Sequence, residues 1–167
     1  MNISHAKLSP CGVYRYTLFR DLGMQGPPLT AVMLNPSTAD AQKDDPTIRR
    51  LTGFAKSWGM GSLLVLNLFA IRATDPRDMM AAEDPVGPLN DETIRHALQL
   101  AKDEDRAVLA AWGAHGGHRQ RDFYVTHKLV DGVDWRCLGM THQGHPRHPL
   151  YVPKSQGLKA FVGGGAS

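Results

Sequence analysis

Cysteine is scarce in this chain: Cys11 and Cys137 are the only two, far apart and without metal-ligand spacing, which reads both as reduced, structural residues. Long apolar runs are missing as well. Stretches such as Leu63–Leu66 are far too short to span a bilayer, and no continuous apolar segment follows Met1. The expectation is a cytoplasmic protein with no membrane partner. Nor does charge of one sign dominate, since a formal +3 with a pI near 9.0 permits a nucleic-acid partner without requiring one. No linker divides the 167 residues, and no low-complexity tract occurs before the terminal Gly163-Gly164-Gly165-Ala166-Ser167. One domain over residues 1–162 with a flexible tail at 163–167 is expected. With 42% hydrophobic and 21% charged residues, a wholly disordered chain is excluded.

What is present alternates between apolar strands and polar turns. Leu29-Thr30-Ala31-Val32-Met33-Leu34 is continuously apolar enough for a central strand covered on both faces, and it ends in Asn35-Pro36-Ser37-Thr38. Pro36 removes a backbone donor and holds Asn35 extended, so the Asn side chain is presented at the strand end. Gly12 to Arg20 alternates as an edge strand or half a hairpin. Asp45-Pro46 opens a helix carrying Leu51, Phe54, Ala55 and Trp58, closed by Gly59 or Gly61. A second buried strand, Ser62 to Phe69, precedes Arg72 and a short helix from Asp75-Pro76 through Met80. Asn90-Asp91-Glu92-Thr93 caps a longer helix whose apolar face is Ile94, Ala97, Leu98 and Ala101. The third strand, Arg106 to Trp112, leads into a Gly-rich turn and a helix over about residues 119–130, and the fourth is Val133 to Leu138. Lys154 to Phe161 forms a last short helix. This order predicts a three-layer α/β/α fold with a mostly parallel four-stranded central sheet plus an N-terminal edge strand or hairpin. Ligands of such sheets collect at the carboxyl ends of the strands, where Asn35, Asn67, the His115 turn and the His148 loop can all converge.

Asn35 can hold a water through its carbonyl oxygen while its amide donates elsewhere, and Asn67 offers a donor and an acceptor together. Neither is a strong base, which suits a reaction passing through a cation that the protein stabilises. His148 can donate to an oxyanion or leaving group. Capping and turn formation explain the same asparagines without chemistry. In the Gly-rich turn, Gly113 to His118, backbone N–H groups with His115, Arg119 and Arg121 can cradle a phosphate. Arg49, Arg50 and Arg72 add positive charge. Asp40, Asp44 and Asp45 suit magnesium or, more simply, capping. His142, His145 and His148 recur every three residues, the basis of an alternative reading as a metal-dependent hydrolase. Pro146 and Pro149 break any helix that would align them and no Cys or acid accompanies them, so neither metal nor cofactor is assigned.

Four segments in order resemble the uracil-DNA glycosylase superfamily: Leu34-Asn35-Pro36-Ser37, the strand Ser62 to Asn67 followed by Arg72, Val108 to Trp112-Gly113, and His145-Pro146-Arg147-His148-Pro149-Leu150. More closely, Asn-Pro-Ser-Thr-Ala-Asp, Asp-Pro-Thr, Trp-Gly and Gly-x-Pro-x-His-Pro-Leu-Tyr are similar to the bacterial and phage family called domain of unknown function 1643. The superfamily resemblance implies that Asn35 positions the attacking water, Asn67 reads the base edge, and His148 or His145 stabilises the departing base anion. Pro36, Ser37, Thr38, Arg72, Trp112, Gly113 and His115 complete the implied substrate site. It also implies a nucleic-acid or nucleotide partner, with the base flipped from its stack or supplied free. Met33 stands where that superfamily has Gly, and one extra residue separates His145-Pro146 from Pro149-Leu150. Ser37 is small and leaves room for a base larger than uracil. A nucleotide-binding module of the same fold without catalysis is the other alternative.

Overall fold

Residues 3–161 are described by a computed structural model, and they form one seven-stranded mixed sheet with helices. The strands are β1 (Ser4–Leu8), β2 (Arg15–Asp21), β3 (Pro28–Met33), β4 (Ser62–Asn67), β5 (Val108–Ala110), β6 (Trp135–Cys137) and β7 (Lys159–Ala160). They lie in the order β1-β2-β4-β3-β5-β6-β7. The run β4-β3-β5-β6 is parallel throughout, and β1, β2 and β7 are added antiparallel at its two margins. The parallel centre thus has the four strands expected, but the sheet has seven.

Continuous apolar composition places β3 in the middle of the sheet, and its side chains alternate between two cores. Ala31 and Met33 pack with Leu63, Val65 and Leu109 against Ile48, Leu51 and Phe54 of α1 (Pro46–Ser57). Val32 packs with Leu66, Val108 and Ala110 against Ile94 and Leu98 of α3 (Asn90–Asp103) and Met79 of α2 (Pro76–Ala81). α1 starts as the Asp-Pro pair predicts: Asp45 accepts the Ile48 N–H at 2.9 Å and Pro46 occupies the first turn. Asp75 caps α2 in the same manner, through the Arg77 N–H.

Four expectations are corrected. Of the two alternatives for the Gly12–Arg20 strand, half a hairpin holds and an edge strand does not, because β1 pairs antiparallel outside it; β1 is polar and exposed, so its sequence carries little apolar signal. Residues 154–158 turn without forming a helix, and Lys159–Ala160 pair with β6 instead. Asn90 is the first residue of α3 and not its cap; the residue before the helix, Leu89, makes no side-chain capping bond. The helix expected over 119–130 is a short α4 (Arg121–Phe123) that widens into a π-helical stretch, Tyr124–Leu129. The glycine-rich tail expected at 163–167 lies outside the described residues. Among the described residues no helix is long and apolar enough to cross a membrane.

Within β2 the pairing with β1 slips: Lys7 opposes Thr17 but Leu8 opposes Arg15, which leaves Tyr16 as an extra residue. Such a bulge reverses the alternation beyond it. Arg15 therefore shares a side with Leu18 and Arg20, and both arginines reach the 39–44 loop: Arg15 Nη1 donates to the Ala39 carbonyl and Arg20 Nε to Asp44.

Candidate functional site

At the carboxyl ends of β3, β4 and β5 the loops enclose a cavity of about 660 Å³, within the range typical of small-molecule sites. Of the residues singled out in the sequence, Asn35, Pro36, Ser37, Thr38, Asn67, Trp112, Gly113, His115 and His148 line it. Arg72 and His145 do not. Arg72 lies close enough to act electrostatically on Arg15 and Asp40. His145 closes a turn, its N–H donating to Thr141 Oγ1 at 3.0 Å and its carbonyl accepting the Thr141 N–H at 2.7 Å.

Asn35 is held by the far wall of the cavity. Its Nδ2 donates to the carbonyls of Ala73 at 2.8 Å and Pro36 at 3.1 Å, and the Ala73 N–H returns a bond to the Pro36 carbonyl. Three carbonyls, that of Ile71 included, surround this nitrogen, which fixes the amide's orientation and leaves its oxygen as the group available to a ligand or water. Asn67 is the reverse case. It is 1% exposed, and its Nδ2 is buried without an acceptor among the described residues, although the residue lines the cavity. A buried unpaired amide of this kind costs about 1–3 kcal/mol, and a ligand acceptor would recover it. Its backbone is clamped from behind, since buried Asn90 donates to the Asn67 and Leu68 carbonyls.

His148 precedes the single helical turn Pro149–Tyr151, and its Nδ1 accepts the Leu150 N–H at 3.2 Å. With Nδ1 as acceptor, the proton of the neutral ring is on Nε2, which makes that nitrogen a donor. Burial holds the imidazole below its ordinary value while the Asp45 carboxylate acts against this, so the neutral donor form prevails near neutrality. Gly113 fastens the neighbouring strand end to this loop: its N–H donates to the Pro146 carbonyl, at a φ of +74° that suits glycine.

In the Gly-rich turn the two arginines are not free to add charge to a phosphate cradle. Arg119 is spent on the carbonyls of Ala82 and Glu83, and Arg121 on the Leu68 carbonyl and the Asp91 carboxylate. Asp40 and Asp45 are occupied as turn and helix caps, Asp40 through the Gln42 and Lys43 N–H groups. His142, His145 and His148 do not converge, and among the described residues no three His, Cys, Asp or Glu side chains are grouped as a metal ion would need.

Sequence reasoning missed two lining residues of chemical weight. Arg15, 2% exposed, is buried in the cavity wall, where desolvation pushes its guanidinium down to about 10 and Asp45 partly offsets this. Only the bulge puts it there, and nothing in the alternation of β2 announces a bulge. Tyr151, 78% exposed, stands at the rim with its ring 5.6 Å from that of His148. The Pro-Leu-Tyr sequence after His148 was its only signal.

A family model described as "Protein of unknown function (DUF1643)" matches residues 15–150, from the start of β2 to the loop that carries His148. No curated protein and no solved structure matches the chain.

Proposed function

The chain belongs to the DUF1643 family, which assigns no activity, and from the cavity itself we propose a protein that binds a nucleobase and processes an N-glycosidic bond in nucleic acid or a nucleotide. One observation carries this reading: Asn35, Asn67 and His148, from three separate segments, face a single cleft with complementary free groups. The Asn35 oxygen accepts, the Asn67 nitrogen donates, and His148 Nε2–H donates. Helices packed on both faces of the sheet agree with the three-layer arrangement of the uracil-DNA glycosylase superfamily.

In the proposed reaction the anchored Asn35 amide orients a water toward the anomeric carbon of the sugar. The bond between that carbon and the base nitrogen breaks, its electron pair leaves with the base, the water oxygen forms the new bond to carbon, and the proton that the water gives up passes through solvent to the departed base anion. Asn67 pairs with the base edge and His148 stabilises the departing anion by donating from Nε2. The cavity volume and the small Ser37 favour a base larger than uracil.

Oligonucleotides carrying uracil, hypoxanthine or larger modified bases, single- and double-stranded, test the reading through strand scission at abasic sites. Product formation that falls at least about a hundredfold in Asn35→Ala supports it. Tight, Asn67-dependent binding without product identifies a non-catalytic recognition module, and neither binding nor product with any base overturns the reading.

A further inference from the structure

The inner wall of the cavity holds a cation that the protein leaves without a counter-ion. Arg15 is among the largest fully buried side chains, and no carboxylate lies within salt-bridge distance of it among the described residues. One of its nitrogens, Nη1, donates to the Ala39 carbonyl at 2.8 Å, whereas Nε donates to nothing. The two acids that act on it from a distance are committed elsewhere: Asp45 caps α1 and Asp40 caps its own turn. Two further arginines, Arg20 and Arg72, are near enough to act on it as like charges. A buried charge left in this state is unfavourable, so proteins normally pair it. A second unpaired buried group of a lining residue is a donor too, Asn67 Nδ2. A wall that holds an uncommitted guanidinium N–H and an uncommitted amide N–H is built to receive acceptors.

We propose that the cavity's ligand carries an oxyanion, a carboxylate or a phosphate, and that Arg15 is the residue that binds it. This deepens the nucleobase reading and rests on it for the rest of the ligand, because an oxyanion on the base or on its sugar would make the substrate an anionic base or a nucleotide. The bulge at Tyr16 is what aims the guanidinium at this wall, and β-bulges commonly re-aim side chains beside active sites.

The test compares matched pairs by calorimetry: uridine 5′-monophosphate against uridine, and orotate against uracil, with the corresponding purine pairs added. In parallel, the Arg15 Nε–H resonance of the unaltered protein is followed by NMR during each titration. The expected result is that the oxyanion-bearing member of one pair binds at least about tenfold tighter, as a charged hydrogen bond implies, and moves the Arg15 resonance. The pair that discriminates identifies the source, phosphate or base carboxylate. Arg15→Met is expected to abolish that advantage and Arg15→Lys to restore part of it. The NMR readout needs no variant, so a destabilised Arg15→Met does not remove the test. If base and nucleoside bind as well as their anionic partners and the Arg15 signal stays in place, the inference is overturned while the nucleobase reading stands. If benzoate or inorganic phosphate binds with an Arg15 response and no base or nucleoside binds, the nucleobase reading fails while the oxyanion site stands.

Discussion

Asn90 and Asn67 are joined across the sheet surface: the buried Asn90 side chain donates to the Asn67 carbonyl at 3.0 Å and to the adjacent Leu68 carbonyl at 3.1 Å. The start of α3 thereby satisfies two carbonyls that β4 leaves open as it ends. Asn90→Ala strands the Asn67 carbonyl in the interior, leaves the Leu68 carbonyl with the Arg121 bond alone, and is expected to lower stability by about 1–3 kcal/mol, read from urea denaturation with an unchanged m-value. A loss below a few tenths of a kcal/mol would mean that water replaces the bond.

Gly116 abuts the indole of Trp112. A Cβ at this glycine would lie well inside van der Waals contact with Trp112 Cδ1 and Nε1, and 3.1 Å from Leu68 Cδ1. Trp112 is packed edge-on against Trp135 and Phe161 at 5.9 and 5.7 Å, so it has little room to retreat. Gly116→Ala is therefore expected to cost about 1–3 kcal/mol and to alter the near-ultraviolet dichroism of the tryptophans. A native spectrum with wild-type stability would contradict the close packing.

Asn35→Asp exchanges a donor for an acceptor in front of the Ala73 and Pro36 carbonyls. The introduced carboxylate cannot bond there unless it is protonated, so its pKa is expected to rise and the variant to lose about 1–3 kcal/mol above that pKa. The loss should shrink on acidification. Thermal melts of the variant and the native protein across pH 4 to 8 (roughly the range in which a raised carboxyl titrates) check the sign, and a pH-independent difference would refute it.

His148 imposes its own pH dependence. Burial lowers its folded-state pKa below that of the unfolded chain, so the folded protein binds fewer protons in the window between the two values. Its contribution is fully favourable above the ordinary imidazole value of about 6.5 and is lost as pH falls through the lower, folded value. Protonation also places a proton on Nδ1, which ends the bond from the Leu150 N–H. His148→Asn retains an acceptor and removes the titration, so the fall in stability below neutrality should be shallower in the variant. A His148 NMR titration midpoint at or above 6.5 would reverse the argument.

How far the fold could be read from residues alone depended on where each element draws its stability. β3, β4 and α1 were legible because their patterns are local: unbroken apolar runs, and an Asp-Pro pair that caps the helix it opens. β1 and β7 were not, since each is held by backbone pairing with a neighbour and its side chains are mostly exposed. Asn90 looked like a cap because Asn before an apolar helix usually is one, and a tertiary contact overrode that preference. The candidate site was legible where it follows strand ends, as with Asn35, Asn67 and His148. Arg15 was hidden, because a charged residue in an alternating strand reads as facing solvent and the phase shift depends on pairing with β1.

The additional Tyr16 makes that phase shift a matter of pairing. If β2 ran without the bulge, so that Tyr16 and not Arg15 opposed Leu8, the Arg15 side chain would turn through the sheet and leave the inner end of the pocket neutral while the strand still paired. Deleting Tyr16 outright would instead leave Arg15 opposite Leu8 and its guanidinium on the same side. Charge at the inner end of this pocket is thus set by the register of a strand as much as by the identity of the residues around the ligand.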